Sequence, residues 1–188
     1  MMNIKKYAVE AVRYRNELNL LLKSLDVKDL EQGLVVVKDS LLSADLKQAI
    51  LAKAGCLLTD YSLAFNNGHI LMQASVNARQ LGPVAVSYQI AIQELRFDDT
   101  GHKLYATFKE TAEPLGNMAQ KLAFKAAQMN GPLLKTALKL SNVSWAYVDG
   151  NNILIDFDRL NFTKNLPASL SLNYISAKDS KLTLSYNL

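Results

Sequence analysis

His69 and His102 are the side chains best suited to proton transfer or metal ligation near neutral pH, and each directly follows a turn glycine, Gly68 and Gly101. Neither sits in a His-x-x-x-His, Cys-x-x-Cys or His-Glu spacing that would bring further ligands to one metal. Both are expected to be solvated turn residues, with no metal site and no cofactor. Cys56 is the single cysteine, so no intrachain disulfide forms. Nothing local activates it as a nucleophile, and it is expected to be a small buried hydrophobe. Two carboxylate pairs remain. Asp156 and Asp158 alternate with Ile155 and Phe157 and are expected on one face of a strand, while Asp98 and Asp99 share a turn with Thr100 and Gly101. Either pair has the chemistry of a general acid and base or of a divalent cation site. A solvent-facing edge strand and an Asp-rich turn produce the same patterns with no chemistry at all. The nucleotide-binding glycine motifs and the Gly-x-Ser-x-Gly elbow are missing, and the chain is read as a non-enzyme.

Charge patterning says more. Of 188 residues, 49% are apolar and 20% charged, and the net charge is +4. Residues 114–148 contain Lys121, Lys125, Lys135 and Lys139 but no Asp or Glu, so this one stretch carries a surplus equal to the whole net charge. That imbalance permits an anionic partner, and an ordinary solvated lysine surface produces the same pattern. Nucleic acid is disfavoured, because 16 of the 21 basic residues are lysine and only 5 are arginine, the residue that binds phosphate in bidentate fashion. No apolar run approaches the roughly 18 residues of a spanning helix, and the N-terminus lacks the apolar core of a signal peptide. The expected location is cytoplasmic, with contact at a membrane surface as an extension of that reading.

The elements that position these residues are set by periodicity. Ile4, Tyr7, Ala8, Ala11, Tyr14, Leu18, Leu21, Leu22 and Leu25 form one helical stripe, which makes residues 1–32 an N-terminal helical arm able to pack on a partner or a homodimer mate. A strand is expected at 34–37, and a helix follows with Ser43 as its N-cap. From residue 57 the period is two. Asn66-Asn67-Gly68 turns one hairpin and Asp98-Asp99-Thr100-Gly101 another, and the apolar phase slips between Ile92 and Leu95, which predicts a β-bulge near Glu94. Pro114 opens a helix whose face is Leu115, Met118, Ala119, Leu122, Ala126 and Met129, and Gly131-Pro132 divides it from a second piece. Two further strand pairs follow, the first with Val143, Trp145 and Tyr147 alternating and pairing across Asp149-Gly150-Asn151-Asn152 with Ile153, Ile155 and Phe157.

The order Leu-Leu-Ser-Ala-Asp-Leu-Lys-Gln-Ala-Ile at 41–50, the Asn-Asn-Gly-His-Ile-Leu turn, a long strand, a helix and further strands resembles the tubular lipid-binding superfamily. The likeness is to small bacterial members in which a curved antiparallel sheet wraps a long helix. Asp149-Gly150-Asn151-Asn152-Ile153-Leu154-Ile155-Asp156 fits the later hairpin, and the resemblance spans residues 34–188. It implies lipid held by apolar cavity walls, carried over only as a diffuse lining. The absent export signal and the extra N-terminal helix depart from that pattern. The fold expected is α+β: a curved antiparallel sheet of seven or eight strands on a long amphipathic helix, with residues 33–188 as one domain. Non-enzymatic binding of a lipid or other long apolar ligand is the first functional reading, with Met72, Tyr88, Ile90, Phe108, Met118, Leu122 and Met129 as walls. Lys121, Lys125, Lys135 and Lys139 would meet an anionic headgroup or membrane surface. The alternative is a protein-interaction module built on the N-terminal helix.

Overall fold

The structure, a computed structural model, describes residues 15–54, 57–78, 81–129, 131–140, 142–160, 163, 166–167 and 169–187. It is an α+β fold built on one open antiparallel sheet of nine strands. Helix α1 (Arg15–Ser24) and the short α2 (Val27–Glu31) lead into strand β1 (Leu34–Lys38). A π-helical turn (Leu41–Asp45) and helix α3 (Lys47–Ala54) precede the hairpin of β2 (Leu58–Asn66) and β3 (His69–Asn77). The long ribbon of β4 (Pro83–Asp98) and β5 (Gly101–Pro114) forms the spine. Helices α4 (Met118–Gln128) and α5 (Leu133–Leu140), the hairpin β6 (Ala146–Asp149) and β7 (Asn152–Asp156), and the hairpin β8 (Ser171–Lys178) and β9 (Lys181–Asn187) complete the chain.

The hairpin turns follow their residues. Asn67 and Gly68, and likewise Asp179 and Ser180, take positive φ at both central positions, which matches the right-handed twist of the flanking strands. Strand β4 is shared along one edge. Its first part pairs with β3 from Val84↔Val76 to Ile90↔Ile70, and its far end meets β8 at Phe97↔Leu172. The β4–β5 register shifts between Ile92 and Glu94, where the sequence placed the bulge, and the bend there lets two ribbons share one strand. Those ribbons are tied at their tips, where Gly68 N–H donates to the Ala177 carbonyl at 2.8 Å and Ser180 N–H to that of Phe65 at 3.0 Å. Across the opposite edge of β5 lie β7 and then β6.

Several expectations are corrected. Strand β5 runs on to Pro114, which pairs with Val84, so this proline ends a strand instead of opening a helix. Asn117 is the true N-cap of α4. Its Oδ1 accepts the Gln120 N–H at 3.0 Å while Gln120 Oε1 accepts the Asn117 N–H at 2.9 Å. The helical segment is two short helices parted at Gly131-Pro132, where the sequence placed the break, and no long helix lies on the sheet among the described residues. In β6 the buried residue is Val148, with Trp145 and Tyr147 turned outward, because Val148 lies directly opposite the buried Ile153 and cross-strand partners share a face. Ser43 does not cap a helix; its hydroxyl donates to the Asp39 carbonyl at 2.8 Å. Of the N-terminal arm, residues 1–14 lie outside the described residues, as does Cys56.

Candidate functional site

Helices α4 and α5 lie over one face of the sheet, and an apolar cavity of about 400 Å³ remains between α5 and the β3–β4 strands. Leu57, Val76, Ala78, Leu81, Val86, Tyr88, Leu133 and Ala137 supply its apolar walls, while Asn77 and Thr136 add the polar positions. Asn77, Thr136 and Ala137 are exposed, which marks the end that opens to solvent. Strand alternation explains the wall. Val76, Val86 and Tyr88 project from the same sheet face because Val84 pairs with Val76 and Tyr88 with Met72 in one register.

Phe124 brings α4 onto the sheet. It is fully buried against Val84 and Val86, with Val76, Leu81, Ala112 and Leu133 around it. Close approach is permitted by Gly82, whose φ is +74° and whose Cβ, if it had one, would stand 2.7 Å from the Gln120 side chain. Helix α5 is anchored differently. Glu110 on β5 reaches its N-terminus, where Oε1 accepts the Leu133 N–H at 2.8 Å and Oε2 the Leu134 N–H at 2.9 Å. One carboxylate thus satisfies two of the orphan donors of that helix, at the end where the helix dipole favours negative charge. Tyr88 stands directly opposite Glu110 in the ribbon. Burial, and secondly the nearby Glu110 carboxylate, hold the Tyr88 phenol proton well above the ordinary tyrosine range, so this hydroxyl stays neutral. Leu134 and Leu138 then sink into a packed cluster of Ala106, Phe108, Val148 and Ile153.

The expected wall residues are scattered by this arrangement. Tyr88 lines the cavity. Phe108 is buried in the filled cluster beside it and Ile90 packs on that cluster, so neither forms a wall. Met72 lines a second, smaller cavity of about 200 Å³ with Leu42, Ile50, Leu58, Tyr61 and Leu63, roofed from the π-helical turn and α3. Met118, Leu122 and Met129 are exposed, because α4 turns Phe124 inward and this stripe outward. The lysines do not gather at the cavity either. Lys121 and Lys125 belong to the outer side of α4, and Lys135 and Lys139 project from α5 away from its cavity-lining Leu133, Thr136 and Ala137. Lys135 lies 3.7 Å from Asp149. Leu57, Val76, Ala78, Leu81 and Leu133 were missed as lining, although the alternation of β3 had already placed Val76 on this face.

The residues with catalytic chemistry are engaged elsewhere. Asp156 ends β7 while Asp158 lies within the 3-10 turn Phe157–Arg159, so the two do not share a strand face. Asp156 accepts from Arg159 at 3.1 Å. Asp158 accepts from the His102 ring Nδ1–H at 2.6 Å and from the His102 backbone N–H at 3.1 Å. His102 is thus only partly exposed, and its ring stands edge-on to Phe97 at 4.3 Å, where a free turn residue was expected. His69 donates to the Asn67 carbonyl at 2.9 Å. Asp98 accepts from Thr100 within its turn. Among the described residues no hydroxyl or thiol is bonded to either histidine ring, and no group of three His, Cys, Asp or Glu converges on a metal position. No helix there is long and apolar enough to cross a membrane.

The His102 side chain, followed by its backbone N–H, holds the Asp158 carboxyl below the usual carboxylate range. The depressed value means that the stability contributed is present above the ordinary Asp pKa and is lost as pH falls through the lowered one. Asp158 is nearly half exposed, so Asp158→Asn is expected to cost under about 1 kcal/mol at neutral pH and nothing in acid. Urea denaturation of both proteins at the two pH values measures it. Compared with known proteins, the chain matches no family model, no curated protein and no solved structure.

Proposed function

We propose that this protein binds a lipid or another long apolar ligand in the cavity between the β3–β4 face and helix α5, in the manner of the sheet-and-helix lipid binders its element order resembles. The observation that carries the reading is the cavity itself: about 400 Å³ with walls that are almost wholly apolar, set beside the buried cluster of Ala106, Phe108, Val148 and Ile153. That volume falls within the range of small-molecule sites, roughly 300–1,000 Å³. The chemistry favours a chain over a compact polar ligand. Each buried methylene contributes about 0.8 kcal/mol. Around ten are then needed to exceed the several kcal/mol of freedom lost on binding. A polar head would rest at the exposed end, by Asn77 and Thr136, and a membrane surface is the natural source of such a ligand.

Protein purified without detergent, analysed by native mass spectrometry and solvent extraction, is expected to carry a discrete apolar adduct. After delipidation, saturating oleate should add about 3 kcal/mol of stability when present at a hundredfold over its Kd. Ala137→Trp, at the exposed rim, should abolish that gain while leaving the unliganded protein intact. A midpoint that no fatty acid or phospholipid moves would refute the reading.

A further inference from the structure

Helix α4 is amphipathic the wrong way round for a helix that only closes a core. At 100° per residue, Met118, Met129 and Leu122 fall within about 40° of one another and form a crest. They are 74%, 88% and 66% exposed. Phe124, Gln120 and Ala127, the residues with any burial on the described helix, occupy the opposite half. Lys125 and Lys121 flank the crest on one side, and Ala126 and Ala119 on the other. Leu115, just before the helix, is also exposed and extends the apolar surface. Neither lysine is in an ion pair among the described residues, and no acid occurs between residues 114 and 148 to neutralise them.

We infer that the outward face of α4 docks on an anionic lipid surface, with Met118, Leu122 and Met129 entering the boundary between headgroups and acyl chains and Lys121 and Lys125 meeting the phosphates. An apolar crest with a basic flank is the arrangement of helices that lie in a membrane interface. Charge decides against a second copy as occupant. A two-fold contact would set this face against itself, lysine beside lysine, with no carboxylate from the same segment to relieve it. Area agrees, since three side chains supply well under the roughly 800 Å² per partner of a stable interface. The inference does not depend on the cavity holding a ligand.

The test is co-sedimentation of the full chain with vesicles of phosphatidylcholine alone and of phosphatidylcholine and phosphatidylglycerol in equal parts. Binding is expected on the mixed vesicles, weakened by salt, and much less on the neutral ones. Neutralising both lysines in Lys121→Gln/Lys125→Gln should lower the partition coefficient about thirtyfold. Met118→Ser/Leu122→Ser should remove most of it. All four side chains are exposed, so unchanged circular dichroism and melting are expected to accompany these losses. Failure to bind mixed vesicles, or equal binding by both variants, overturns the inference. So does a dimer that the serine variant splits without any change at the vesicles, which would give the crest to a second copy. Because the lysine variant leaves the apolar crest in place, the inference stays testable even if the serine variant misfolds.

Discussion

Phe124→Ala should lower the stability by about 3–5 kcal/mol, whereas Leu122→Ala and Met118→Ala should each change it by less than about 0.5 kcal/mol. The three residues share one helix and are all large and apolar, so the contrast isolates which way the helix faces. Phe124 is 1% exposed and fills the slot between Val84 and Val86, which are themselves fully buried. Its removal loses the transfer energy of a ring and opens space beside a cavity that already touches Val86, Leu81 and Leu133. Collapse is hindered there, because the β4 backbone is locked into pairing with β3 and β5 on both sides. Leu122 and Met118 lose almost no burial when truncated. Urea denaturation of the three variants decides the matter. If Leu122→Ala costs more than Phe124→Ala, the helix packs by its Met/Leu stripe and the docking crest does not exist.

That stripe shows where periodicity stops being informative. Counting apolar residues at helical spacing identifies Met118, Leu122 and Met129 as the face to bury, since it is the larger apolar surface. The structure buries one aromatic ring on the other side, which the presence of Gly82 under Gln120 makes accessible. Nothing in a single helix reports the shape of the slot it meets. The strands were more legible. Alternation located the β2–β3 and β4–β5 hairpins and the slip at Glu94, because a sheet with one packed face imposes a period of two and a bulge is the only way to change its phase locally. At the β6–β7 hairpin the apolar alternation of Trp145 and Tyr147 competes with that of Val148, and only the pairing of Val148 with the buried Ile153 shows which set faces the core.

The candidate site was legible as a type of surface and not as a set of residues. Tyr88 was identified because its position on the packed face follows from β4 alone. Leu133 and Ala137 depend on how α5 lies across the sheet, and that is fixed by Glu110, a contact 23 residues away in sequence. The His102–Asp158 bond, 56 residues apart, had no local signal either. Asn117-x-x-Gln120 did have one, since a capping box is a sequence pattern, and it outranked the proline at 114 as the mark of the helix start.

Glu110→Ala is the second substitution with a large expected effect, about 2–3 kcal/mol. The alanine leaves the Leu133 and Leu134 N–H groups without an acceptor at a half-buried helix terminus, and it removes a charged acceptor from the favourable end of the dipole. Lost caps alone cost about 0.5–2 kcal/mol, and hydrogen bonds to a charged group are worth more than neutral ones. Glu110→Gln keeps one carbonyl oxygen in reach and should recover roughly half of the loss. Hydrogen exchange separates this from a general weakening. Protection should fall first at the α5 amides, while the amides of β3 and β4 exchange as before. Those two strands form the floor of the cavity and α5 its roof, so the same variant should bind oleate more weakly and release it faster. An alanine variant as stable as the parent, with α5 still protected, would mean that the roof is held by Leu134 and Leu138 alone and that Glu110 does not govern access to the cavity.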